Sequence, residues 1–211
     1  MAVAGHRGDV TAARDGLGAR DPRVRELALG ALARVGALDE ETVLACFGDP
    51  DPAVRRRAAD LSARLPPTEV LRADLRHLLA DGDPLVVEAA CWSLGELGDA
   101  AGVATLSGAA RLHVDARVRE AALAALAAIG DPSGLEAVLD ALGDRPTVRR
   151  RAVVALAAFD GPGVEEALRK SAEDRDWQVR EVAEILLDES PGESWGEAPA
   201  GDPPRRSPAG G

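Results

Sequence analysis

Three histidines, two cysteines and two runs of arginine are the residues of this chain best suited to chemistry. A metal site needs ligands brought together, most often histidine, cysteine and carboxylates at short spacing. His6, His77 and His113 each stand alone, so no metal centre is expected. Nucleophilic catalysis needs a serine or cysteine paired with a base. Ser62, Ser93, Ser107, Ser133 and Ser171 have no histidine placed near them by sequence. Cys46 and Cys91 both fall in apolar stretches, where a thiol is a small inert hydrophobe rather than a nucleophile. No glycine-rich phosphate loop is present. Arg55-Arg56-Arg57 and Arg149-Arg150-Arg151 have the composition of phosphate contacts. Three consecutive helical residues point about 100° apart, however, so neither run can form one patch. No catalytic residues and no cofactor are expected.

The composition agrees. The 211 residues carry a net charge of −11, which opposes nucleic-acid binding because that affinity rests on neutralising phosphates. Two cysteines are too few for a disulfide framework and fit a reducing cytoplasm. The first ten residues lack the apolar core of a signal peptide, and no stretch approaches the roughly 18 apolar residues of a membrane span. A cytoplasmic protein without membrane association is expected. Hydrophobic residues make up 46% but aromatics only 2%, with no tyrosine, so alanine, leucine and valine must fill the core. Small side chains suit closely packed layers of helices.

Those helices are announced by a recurring phrase: an aspartate, usually a proline, one residue, then valine and arginine, then an alanine- and leucine-rich run. It reads DPRVRELALGALARVG from Asp21 and DARVREAALAALAAIG from Asp115, with further copies from Asp51, Asp83, Arg145 and Asp176. The aligned valines are Val24, Val54, Val86, Val118, Val148 and Val179, spaced 30, 32, 32, 30 and 31 residues apart. Aspartate caps the free amides of a first turn, and proline at the first helical position loses no hydrogen bond. Glycine or proline then ends several copies, at Gly36, Pro66, Gly98 and Gly130. A second helix lies between successive phrases, over 39–47, 68–80, 102–111, 134–142 and 163–172. In one of them Leu135, Val138, Leu139 and Leu142 fall at helical spacing. Each unit is therefore a helix A, a turn and a helix B. A single pair cannot bury its apolar face, and stacking completes the core. A weak first helix within 9–19, containing Gly16 and Gly18, is expected to cap the N-terminal end.

The stretch DARVREAALAALAAIGDPSGLEAVLDALGD, from Asp115 to Asp144, resembles the short HEAT-like repeat of about 30 residues associated with phycobilin lyases, and the likeness extends over roughly 8–187. The resemblance implies an all-α chain, a right-handed α-solenoid (superhelix) of about six two-helix repeats over 1–188. The remainder, 189–211, is rich in Pro, Gly, Ser and Glu and is expected to be a disordered tail. By the same resemblance, aspartates and arginines form a structural ladder inside the stack. Its arginines are Arg25, Arg55, Arg119, Arg149 and Arg180, and its acids are Asp21, Asp51, Asp83, Asp115 and Asp176. Val87 and Arg145 depart from the pattern. HEAT-like metalloenzymes such as deoxyhypusine hydroxylase carry His-Glu pairs, and no histidine here is followed by Glu.

In solenoids of this kind the B helices line the concave face. The stripe opposite the core then runs through Arg56, Asp60, Glu88, Trp92 and Glu120. Trp92 is the one large apolar residue among these charges. It reads either as the anchor for a protein partner or as a cover over the small Ala124. The expected function is a non-enzymatic scaffold or adaptor that binds a protein or peptide on that face, with a monomer as the default state. The alternative is a bilin-lyase-like chaperone or lyase, and a nucleic-acid-binding HEAT-like protein ranks below both.

Overall fold

A computed structural model describes residues 9–189. Twelve α-helices and no strand occur among them. They alternate as A and B helices of six repeats: α1 (Val10–Leu17) with α2 (Pro22–Arg34), α3 (Glu40–Phe47) with α4 (Pro52–Ser62), and α5 (Glu69–Leu78) with α6 (Pro84–Glu96). Then come α7 (Val103–Leu112) with α8 (Ala116–Ile129), α9 (Leu135–Asp140) with α10 (Pro146–Leu156), and α11 (Pro162–Ser171) with α12 (Trp177–Glu189). Of the tail expected over 189–211, Glu189 is the last residue of α12, and 190–211 lie outside the described residues.

Local chemistry sets these boundaries. Asp21, Asp51, Asp83 and Asp115 each accept a hydrogen bond from the amide two residues on, and proline opens α2, α4, α6 and α10. Thr68 caps α5 through its hydroxyl. Gly130 ends α8 with φ of 68°, a left-handed conformation that a side chain would strain. The fifth repeat is the exception, since Arg145 stands at the cap of α10 and offers no side-chain acceptor. The helix expected over 134–142 is shorter than its siblings: Ala141–Gly143 tightens into a 3₁₀ turn.

Each B helix packs on its neighbouring B helices, and the A helices other than α9 pack mainly on their own B helix. The B layer is therefore the more closely packed of the two. Its core is built in columns. Ala28, Ala58, Ala90, Ala122, Ala152 and Ala183, each four residues after the aligned valine, are all fully buried. Alanine here lets neighbouring axes approach. The extreme case is between α6 and α8, where a Cβ added at Gly95 would lie 2.9 Å from Ala125 Cα. Gly95→Val should therefore push α6 and α8 apart. The expected cost is about 2 kcal/mol, or a fall in Tm of roughly 4–8 °C by circular dichroism.

The repeats are also joined by arginine–aspartate pairs, and here the partners differ from those expected. Arg25 donates through Nε and Nη2 to Asp49, at 2.7 and 2.6 Å. Arg55 meets Asp81, Arg119 meets Asp144 and Arg149 meets Asp174 in the same two-pronged way. The ladder acids are thus Asp49, Asp81, Asp144 and Asp174. Asp21, Asp51, Asp83 and Asp115 are helix caps instead, and Asp176 likewise accepts from the Gln178 amide. The physical reason is competition. A capping carboxylate is held against its own first turn, whereas an aspartate two residues earlier faces the preceding repeat. It also accepts from the backbone two residues on, as Asp49 does from Asp51 and Asp81 from Asp83.

These pairs make the stack acid-sensitive. Hydrogen bonds from Arg55, Arg119 and Arg149 hold Asp81, Asp144 and Asp174 below the usual carboxylate range, against the opposing effect of burial. At Asp49 burial is the largest influence and acts upward, but the Arg25 bond and its companions bring the net shift down. Folding thus lowers these pKa values, and the unfolded chain binds protons first as pH falls. Their stabilisation is complete above the ordinary carboxylate pKa of about 4 and is lost as pH drops through the lowered values. Melting curves should superimpose from pH 7 to about 5 and shift steadily downward below about 4. A Tm that holds constant to pH 2 would contradict this.

Candidate functional site

Helical spacing places Glu88, Trp92 and Glu96 one turn apart along α6, so the indole is flanked on both sides by a carboxylate. Facing them on α8 are Arg117, Glu120, Ala124 and Ala128. With Arg56 and Asp60 of α4 and Arg151 of α10 they line one open groove of about 570 Å³. Every residue of the candidate binding set, Trp92, Arg56, Asp60, Glu88 and Glu120, is on its wall. Its lining between α6 and α8 is small, with Ala89, Gly95, Ala121 and Ala125, and α6 and α8 come close at Gly95 and Ala125. Trp92 is 51% exposed, a large ring half open to solvent in a groove lined by these small residues.

The groove charges are unequally committed. Arg117 is paired with Asp115 at 2.8 Å, and Arg56 leans toward Glu26 at 3.8 Å. Among the described residues, the side chains of Asp60, Glu88, Glu96, Glu120 and Arg151 make no hydrogen bond or ion pair within 4 Å, and Asp60 and Glu88 feel Arg56 and Arg117 only at longer range. Burial raises the Asp60 carboxyl pKa, opposed by Arg56 and Arg57. An uncommitted surplus of carboxylates therefore surrounds the indole. The arginine runs are divided by helix geometry. Arg55 and Arg149 enter the ladder, Arg56 and Arg151 reach the groove, and Arg150 donates to Gln178 at 3.0 Å.

The repeat bearing Trp92 also breaks the ladder. Val87 is fully buried where its siblings carry arginine, and the matching acid position, two residues before the cap Asp115, is His113. Both partners have changed together, so no charge is orphaned. His113 Nδ1 accepts from the Asp115 amide at 3.1 Å, the bond that Asp49 and Asp81 make elsewhere. Cys91 lies in the same helix, fully buried, and burial pushes its thiol up to about 12, far from nucleophilic range. Among the described residues no group of three or more His, Cys, Asp or Glu is placed to hold a metal ion, and no helix is long and apolar enough to cross a membrane.

Sequence reading missed the true ladder acids and the groove residues Arg151 and Leu85. The signal for the acids was available: Asp49, Asp81 and Asp174 stand two residues ahead of a helix cap, and Asp144 one residue ahead of Arg145, at close to multiples of the repeat period.

Residues 40–127 and 109–188 match the sequence model described as HEAT repeats. No curated protein matches the chain by sequence. Among solved structures it resembles an engineered protein at 22% identity and a TM-score of 0.62, over 85% of this chain and 95% of that one. A designed armadillo repeat protein is similar at 18% identity and a TM-score of 0.59, over 83% and 97%. The complex of CpcE and CpcF of phycocyanin lyase from Nostoc sp. is similar at 25% identity and a TM-score of 0.61, over 81% and 73%.

Proposed function

Since this chain belongs to the family of HEAT repeats, we propose that it is a non-enzymatic scaffold or adaptor of the cytoplasm that binds a protein segment along the concave face of its B helices, with a basic side chain of the partner lying over Trp92. The observation that carries this reading is the Glu88–Trp92–Glu96 column, half open to solvent in a groove whose carboxylates are uncommitted. A cation over an indole face gains from the ring's quadrupole, and flanking carboxylates add charge-assisted hydrogen bonds. The small floor of Ala121, Ala124 and Ala125 leaves room for the aliphatic stem of lysine or arginine. Arg151, also unpaired, would meet a carboxylate of the same segment and set its direction.

The test is selection from a random peptide display library on the immobilised chain. Peptides enriched in arginine or lysine beside an apolar residue are expected, and they should fail to bind Trp92→Ala. Enrichment of no sequence, or binding kept in full by Trp92→Ala, would refute the reading. The similarity to the phycocyanin lyase complex supports a second one, in which the same groove handles a bilin. A visible absorbance band that co-purifies with the wild-type chain from a bilin-producing host, and not with Trp92→Ala, would select it.

A further inference from the structure

Trp92 belongs to a row that runs along the B helices. It stands six residues after the aligned valine of α6, and the residues at that offset in the six repeats are Gly30, Asp60, Trp92, Ala124, Val154 and Ile185. The row changes character halfway. In its first half Gly30 is buried, with Arg57 Nη2 3.1 Å from where a Cβ would stand, and Asp60 carries a carboxylate. Its second half is apolar. Val154 is 43% and Ile185 50% exposed, much like Trp92, and the small, half-buried Ala124 lies between Trp92 and Val154. Exposed apolar side chains scattered singly mean little, but these recur at one offset on helices that pack in succession, α6 to α8 to α10 to α12. The bond from Arg150 to Gln178 at 3.0 Å joins the same faces of α10 and α12, one turn before Val154 and two before Ile185. The groove at Trp92 therefore continues as an apolar track toward the last repeat.

A partner that follows this track meets two chemistries in order. At Trp92 the uncommitted Glu88, Glu96 and Glu120 favour a basic side chain, and at Val154 and Ile185 the surface favours apolar ones. Neighbouring helix axes lie about 8–10 Å apart, which puts Val154 roughly 16–20 Å and Ile185 roughly 24–30 Å from Trp92. An extended chain advances about 3.3 Å per residue, so these distances correspond to about five or six residues and about seven to nine. A helical segment fits poorly. It is about 10–12 Å across, whereas the apolar row and the charged row through Glu88 and Glu120 lie one turn apart, about 5–6 Å. A second copy fits poorly as well, because two chains of net charge −11 would set the same carboxylates against each other.

Resting on the protein-binding reading above, we infer that the groove takes an extended segment whose basic residue lies over Trp92 and whose apolar residues, further along, seat on Val154 and Ile185. The test is selection from a random 20-residue peptide library on the immobilised full-length chain, as wild type and as Val154→Gln with Ile185→Gln. Both positions are exposed, so the double variant should keep the wild-type circular dichroism spectrum and Tm. Aligned on their basic residue, peptides from the wild type are expected to carry apolar residues about five or six and about seven to nine positions away in one direction. On the double variant the basic residue should still be selected and the apolar preference lost. The best wild-type peptide should bind the double variant about tenfold more weakly by fluorescence anisotropy, the scale of two half-exposed apolar contacts. A basic residue enriched on the wild type with no apolar preference at that spacing overturns this inference and leaves the protein-binding reading standing. Enrichment of nothing on either form removes both. Apolar residues about twelve positions out would mark a helical occupant, and self-association abolished in the double variant would give the row to a second copy. Either result overturns the extended segment.

Discussion

A peptide selected on the wild-type groove is expected to lose about thirtyfold or more in affinity when Trp92 becomes alanine, the factor that corresponds to roughly 2 kcal/mol for an interface anchor. Helix content and Tm should hardly change, because the ring is half exposed and stands on the surface of α6 rather than in the core. Trp92→Phe should retain part of the affinity, since a smaller ring still presents a negative face. Neutralising the flanks, with Glu88→Gln and Glu96→Gln together, should instead slow association and flatten the salt dependence, because exposed carboxylates act mainly by steering. Calorimetry and stopped-flow mixing separate these effects. An unchanged Kd for Trp92→Ala would mean that the indole only covers Ala124.

The largest stability effect is expected at Arg149, the most buried rung arginine at 5% exposure. Arg149→Val would leave the Asp174 carboxylate partly buried with no partner, and the Asp144 carbonyl without its donor. Breaking one side of a buried pair costs about 3 kcal/mol or more, which corresponds to a fall in Tm of roughly 6–12 °C. The last two repeats should fray first, since each repeat is held only by its neighbours. The chain itself contains the control. Between repeats three and four, Val87 and His113 replace both partners, and that interface is the most extensively packed of all. Arg149→Val combined with Asp174→His should therefore recover much of the loss, because His can take the Asp176 amide as His113 takes that of Asp115. Calorimetric melts of the two single variants and the double decide this. Additive losses would show that the rung does not act as a pair.

The fold was legible because its determinants are local. A valine and an alanine recur six times at fixed offsets, with an aspartate cap in five of the six copies and a proline at the first turn in four, and each acts within a few residues of where it stands. The stripe carrying Trp92 followed from the same helical arithmetic, and all its candidate residues meet in one groove. What the sequence could not decide was which charges are already spent. Asp51 lies four residues from Arg55 and Asp81 lies 26 away, yet Arg55 binds Asp81, because the nearer carboxylate is occupied by its own helix start and the farther one is delivered by the next repeat. Likewise Arg117 is paired while Glu88, Glu96 and Glu120 are left uncommitted, and only that difference turns a groove of mixed sign into one suited to a basic partner. Period, caps and core columns are properties of the chain. The pairing of long side chains across repeats is a property of the stack, since an arginine reaches past its own turn to whichever carboxylate the packing presents.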